Sequence, residues 1–213
     1  AGLGFRHERI AENSREWEYR DSSGYSMPHN PEALEVIYNL RSNNSISSNH
    51  LEMYVQDTWR RETSNSIFSL NYGLRMSHWS WNKEWLFSPR ASLTYIPKNH
   101  DNMTIRLATG LYYQRPFYKE LRDTITNGAT TIVQLNKDIQ SQRSFQVIAG
   151  YEYRFKLGKR PFLFSTELYY KAQDRLNPYT IDNTKIVYYG RNCATGNVMG
   201  IDLKLYGEFV PGT

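Results

Sequence analysis

The 213-residue chain carries 26 Lys and Arg against 21 Asp and Glu, a net charge of +5, with 17 Tyr and 15% aromatic residues in all. Mean hydropathy is −0.68, and no run approaches the ~18 consecutive apolar residues of a spanning helix, so passage through a bilayer would have to use strands. The basic residues are scattered without a block or a recognition-helix pattern, which argues against nucleic acid, and the single Cys193 excludes an intrachain disulfide framework.

Alternation and turn residues predict about eight strands, at 2–10, 49–60, 66–77, 86–96, 103–114, 143–155, 162–173 and 198–210. The clearest runs from Ile67 to Ser77. Phe68, Leu70, Tyr72, Leu74 and Met76 point one way, and Ser69, Asn71, Gly73 and Arg75 the other. The second strand places Leu51, Met53, Val55 and Trp59 on one face together with Asp57, which is expected beyond the hydrocarbon at the periplasmic rim. Later strands give the apolar sets Ala91, Leu93 and Tyr95; Ile105, Leu107, Thr109, Leu111 and Tyr113; and Phe145, Val147, Ala149 and Tyr151. The last two give Phe164, Thr166, Leu168 and Tyr170, then Met199, Ile201, Leu203 and Leu205. Opposite them, on the face expected to line a lumen, stand Arg75, Arg90, Arg106, Gln114, Glu152, Glu167, Lys171, Asp202 and Lys204.

A soluble sheet would cover its apolar face with a second layer, whereas almost every strand here presents the same outward set of Tyr, Phe and Leu, which fits lipid. A one-residue slip would turn each charge into the bilayer at ~2–4 kcal/mol for each Arg or Lys, so the register is strongly specified. The expected fold is all-β, an antiparallel transmembrane β-barrel. Short connections at 61–65, 97–102 and 156–161 alternate with longer ones at 11–48, 78–85, 115–142 and 174–197, the asymmetry of periplasmic turns and extracellular loops. By that asymmetry the first strand runs outward and the last returns to the periplasm. Within 11–48, Asn30, Pro31 and Glu32 read as a helix start followed by Ala33, Leu34, Ile37 and Leu40. Leu34, Val36, Tyr38 and Leu40 equally alternate as an upward extension of the next strand, and both readings stand.

Motifs for chemistry are weak. His7, His29, His50, His78 and His100 lack ligand spacing, and Gly190, Gly196 and Gly200 lack the ending of a phosphate loop. Glu8, Glu12, Glu16 and Glu18 are interleaved with Arg9, Arg15 and Arg20 and read as a solvated, charge-balanced loop. Ser77 and His78 are adjacent, but neighbours on a strand point to opposite faces and form no relay. Neither an enzyme nor a cofactor is expected.

The run Tyr54 to Trp59, then Leu70 to Arg75, then Phe87 to Leu93, resembles the barrel domain of TonB-dependent outer-membrane receptors. So do Gly110 to Gln114 with Pro116 and Phe117, and Glu167 to Lys171. The stretch Gly200 to Thr213 is similar to receptors of the Bacteroidetes type. The resemblance implies a barrel of about 22 strands blocked by a plug, importing a scarce ligand with energy passed on by TonB. It implies an outer-membrane location, lipid contact, a TonB complex reached through an N-terminal part, and a surface lipoprotein as a further partner. The chain lacks a plug and a TonB box, so residues 1–213 are read as part of one barrel domain. Competing readings are a complete eight-stranded barrel with a structural or adhesive role and a soluble β-sandwich binding module.

Overall fold

A computed structural model describes residues 1–20, 35–128, 130–182 and 185–209. Eight long strands build one sheet: β1 (Gly2–Arg20), β2 (Glu35–Glu62), β3 (Ser66–Trp79), β4 (Glu84–Pro97), β5 (Met103–Gln114), β8 (Gln142–Leu157), β9 (Arg160–Leu176) and β12 (Ala194–Gly207). Between them lie β6 (Arg122–Asn127), β7 (Thr130–Leu135), β10 (Tyr179–Asp182) and β11 (Lys185–Tyr188). The long strands pair antiparallel with their neighbours in chain order, from β1 to β12, in a curled sheet. Among the described residues β1 and β12 do not pair with each other, so the sheet stays open.

All eight expected strands are present, and two are much longer than alternation indicated. β1 and β2 run on together from Gly2↔Tyr54 to Arg20↔Glu35. Residues 11–20 and 35–48, placed in a longer connection by alternation, are thus strand, and Glu8, Glu12, Glu16 and Glu18 lie along β1 instead of in a solvated loop. From Glu35 the strand reading of the 30–40 segment holds, while the Asn30 helix start lies outside the described residues. On the outer face of the first part of this extension the side chains turn small or polar, with Asn13 opposite Asn43, Ala11 opposite Ser45 and Arg9 opposite Ser47. Apolar alternation fails there because there is no lipid to reward it, which is why the pattern stopped being legible. The connection expected as a longer loop at 78–85 is a tight turn between Trp79 and Glu84, closed by Lys83 at φ 58.

Register carries one apolar row across seven strands: Trp59, Leu70, Leu93, Leu107, Ala149, Leu168 and Ile201 are direct partners in succession. Direct partners share a face, so one slipped strand would break the row. Glycine lets rings lie flat across neighbouring strands. A Cβ at Gly200 would stand 2.3 Å from the Tyr169 hydroxyl, and one at Gly207 2.2 Å from the Phe162 ring.

The buried core sits at the upper end of the sheet instead of between two layers. Ile46, Trp79, Leu121 and Ile139 form it, with Ile10, Trp81, Tyr118 and Leu135 packed around. Leu121 and Ile139 come from the long connection after β5, each 1% exposed. Burying them stabilises the fold-back by ~1.5–3 kcal/mol apiece. Within that connection β6 and β7 form a hairpin, and β7 pairs in parallel with β2 at 39–41, above the point where β3 ends.

Candidate functional site

Register places all nine sequence-derived polar candidates on one face. Tyr54, Arg75 and Ser88 are partners in succession, as are Gly73, Arg90 and Gly110, and Arg106, Gly150, Glu167 and Asp202. Glu152 stands opposite Thr104, Lys171 opposite Gln146, Lys204 opposite Ser165 and Gln114 opposite Gln142. Ser77 falls on this face opposite Glu52, and His78 on the other opposite Leu51.

Much of the charge is matched between strands. The Arg106 guanidinium donates to both Glu152 oxygens, at 2.6 and 3.3 Å. Arg75 pairs with Glu52. Arg90 has no carboxylate partner among the described residues; it lies 4.4 Å from the centroid of the Tyr112 ring, flanked by Gly73 and Gly110. A cation over an aromatic face is held by the ring quadrupole. At Gly110 the absent side chain lets the Tyr112 ring lie close, where an added Cβ would stand 2.9 Å from it. A hollow of about 700 Å³ opens beside Arg90, lined by Arg75, Arg90, Tyr54, Asn71, Ser92 and Tyr112 among others. Glu167 and Asp202 face each other, whereas Gln114 stands apart at the upper end of β5.

Above the hollow is a cluster that strand reading alone missed. The Arg115 Nη1 lies 2.6 Å from the His50 Nδ1. A guanidinium only donates, so Nδ1 is the acceptor and the imidazole is neutral, with its hydrogen on Nε2 facing Glu8 Oε2 at 3.0 Å. His50 stacks on Trp79, whose indole N–H donates to Ser48 Oγ at 3.2 Å. The parity of Glu52 and Tyr54 assigns His50 to the charged face, but Arg115 lies outside any strand and nothing in the sequence directs it here.

Higher still, Glu12 on β1 meets the fold-back. Tyr118 and Ser42 donate their hydroxyls to its Oε2 at 2.5 and 2.7 Å, and Arg122 lies 3.5 Å from its Oε1. Burial pushes the Glu12 carboxyl up, but the hydrogen bonds from Tyr118 and Ser42 and the charges of Arg122 and Lys119 outweigh it and hold it below the usual carboxylate range. Burial and the same carboxylate push the Tyr118 hydroxyl up to about 12. Burial also raises the Glu120 carboxyl, which accepts from Gln142 Nε2 at 3.2 Å.

Amides join three connections into one cap. Asn192 Oδ1 accepts from the Gln140 N–H at 2.8 Å while its Nδ2 donates to the carbonyls of Gln140 and Arg175 at 3.0 and 2.6 Å. Asn177 Nδ2 donates to the Glu120 carbonyl and Asn136 Nδ2 to the Gly190 carbonyl. Glu84, beside the β3–β4 turn, accepts from the Ser141 hydroxyl at 2.6 Å and its N–H at 3.0 Å. Cys193 is an exposed thiol in the same region.

The opposite face is apolar and exposed, with Leu107, Leu168, Ile201 and Leu203 each 49% exposed or more. Along β9 it runs from Phe162 to Ala172, ten residue steps. At ~3.3 Å per step and a ~45° tilt this spans ~23 Å, close to the ~25 Å apolar band of an outer-membrane barrel. Outward charges bound it, Arg160 opposite Leu157 at one end and the Arg143–Asp174 pair at the other. A curled antiparallel sheet with a charged face, a banded apolar face, short turns at one end and a knitted cap at the other is the wall of a transmembrane β-barrel. The chain matches the family described as TonB dependent receptor-like, beta-barrel, over residues 2–210, and it belongs to that family. Among curated proteins no match was found.

Proposed function

We propose that this chain is barrel wall of an outer-membrane receptor that imports a scarce ligand with energy relayed by TonB. The observation that carries the reading is the cap: the connections after β5 and β9 are tied by side-chain amides into one body over the charged face, as a preformed extracellular ligand platform requires. In this reading Arg75, Arg90, Arg106, Gln114, Glu152, Glu167, Lys171, Asp202 and Lys204 line the lumen, and segments 115–142 and 174–197 contribute to the external site. Family membership supports the location in the outer membrane and the dealings with TonB, which would act through receptor parts outside this chain. Cargo is drawn from siderophores, haem, cobalamin, glycans and peptides, since one fold serves many ligands, and a surface lipoprotein is a candidate partner.

The test is deletion of the gene in the source cells, followed by growth with each cargo class as sole source of its nutrient. The expected outcome is a defect on one class, restored by the intact gene only when TonB is functional. Equal growth on every class, or restoration without TonB, would overturn the reading. The intact mass of the native chain is a second check, because a barrel of about 22 strands with a plug requires several times 25.1 kDa.

A further inference from the structure

The lower edge of the wall has three short connections, and their charges differ. At the β2–β3 and β4–β5 turns Arg60, Arg61 and Lys98 stand with Glu62 and Asp101, and Lys98 meets Glu62 at 2.7 Å. The β8–β9 hairpin carries Arg154, Lys156, Lys159 and Arg160 with no acidic residue from Tyr153 to Leu163. Arg154 and Lys156 share the parity of Glu152 on the charged face, which leaves Lys159 at the apex and Arg160 for the outer side. The acid that comes alongside is Glu208, whose N–H reaches the Pro161 carbonyl at 3.4 Å.

The hairpin is built to display this charge at the surface. Its two-residue connection has both members left-handed, Gly158 at φ 58 and Lys159 at φ 73, which matches the tight turn that keeps twisted strands paired. Lys159 stands exposed at the apex. Arg160, opposite Leu157, belongs to the apolar outer face, and its Nη1 donates to the Phe209 carbonyl at 3.2 Å, which anchors the guanidinium while leaving its remaining donors unused by that contact.

Directly above it on the same face is a ladder of rings. Tyr151, Tyr153, Phe155 and Phe162 follow at centroid spacings of 6.5, 5.9 and 5.6 Å, and Phe209 meets Phe162 edge-on at 5.3 Å. Phe162 fits because Gly207 beneath it has no side chain. Guanidinium and ammonium groups below, with a continuous aromatic strip rising from them, complement a molecule with an anionic phosphate head and long apolar tails.

We propose that the β8–β9 hairpin is a binding site for an anionic glycerophospholipid of the periplasmic leaflet, its phosphate held by Lys159 and Arg160 and its chains laid along Phe155, Phe162 and Phe209. The inference rests on the outer-membrane reading above. It makes this sector of the wall an anchor that fixes the depth of the barrel against the inner leaflet.

Native mass spectrometry of the full-length receptor, purified in detergent and titrated with phosphatidylglycerol or phosphatidylethanolamine, tests it. Each cation near an anionic lipid contributes about fivefold in affinity. The native receptor should prefer phosphatidylglycerol by at least that factor. K159Q/R160Q should abolish the preference while K98Q, whose ammonium is paired with Glu62, leaves it intact. Equal retention of the two lipids by the native receptor, survival of the preference in K159Q/R160Q, or displacement of phosphatidylglycerol by equimolar inorganic phosphate would overturn the site. A receptor that retains neither lipid would likewise overturn the site, while the growth test with and without TonB decides the outer-membrane reading on which it rests.

Discussion

Glu12 is the residue through which β1 grips the fold-back. Its carboxyl is held below its unfolded value, so its contribution to stability is fully present above the ordinary carboxylate pKa of 4.5 and is lost as pH falls through the lowered folded value. Tyr118, raised from 10.0 to about 12, has the opposite sign: its contribution is present below 10 and disappears as pH rises through about 12. Protease cleavage within 115–142 of the full-length receptor should therefore stay slow from neutral pH up to about 10 and accelerate in acid. Glu12→Gln should be fast already at neutral pH and flatter in acid. Acid-insensitive cleavage of the native receptor would show that Glu12 does not hold the segment. Leu121→Ala leaves a void where the side chain was 1% exposed and should cost ~2–5 kcal/mol in closure of the fold-back, read as faster hydrogen exchange around Ile139. Unchanged exchange there would place the hydrophobic anchor elsewhere.

Between elements, the cap depends on amides whose every partner is backbone. Asn192 uses its acceptor and its donor nitrogen on Gln140 and Arg175, so Asn192→Ala strands those groups at ~1–3 kcal/mol. It should free 136–141 and 189–193 together in hydrogen exchange. If only one segment loosens, the two are not a single body. In the wall the corresponding fit is between strands: Gly200→Val drives a side chain into Tyr169, whose hydroxyl an added Cβ would approach to 2.3 Å and whose ring to 2.5 Å. The β9–β12 ladder should be the part that yields, and heat-modifiable migration of the receptor should shift to a lower temperature. Migration unchanged from the native receptor would mean that Tyr169 moves aside at no cost.

For the molecule as a whole, what matters is which face meets lipid. Leu168 and Glu167 are adjacent on β9 and point to opposite faces, in rows ending at Ile201 and Asp202. Leu168→Arg should cost ~2–4 kcal/mol in refolding into lipid vesicles, whereas Glu167→Arg, on the charged face, should fold with little penalty. Equal penalties would sink the assignment of faces. Among the described residues β1 and β12 each leave one edge unpaired, and an exposed edge of that length templates association with other chains.

Alternation with a period of two was sufficient to place eight strands, their common register and the nine charged-face residues, because lipid on one side and polar surroundings on the other impose the same pattern on every strand. The resemblance in Tyr54 to Trp59 and Gly200 to Thr213 named the family that residues 2–210 match. Beyond the hydrocarbon that pressure vanishes, so Asn13, Asn43 and Ser45 gave no sign that β1 and β2 continue upward together. The fold-back of Leu121 and Ile139 onto Ile46 and Trp79, the neutral His50 between Arg115 and Glu8, and the Asn192 clasp join residues far apart in the chain. Contacts of that kind have no local periodicity to announce them, and only the tertiary structure decides them.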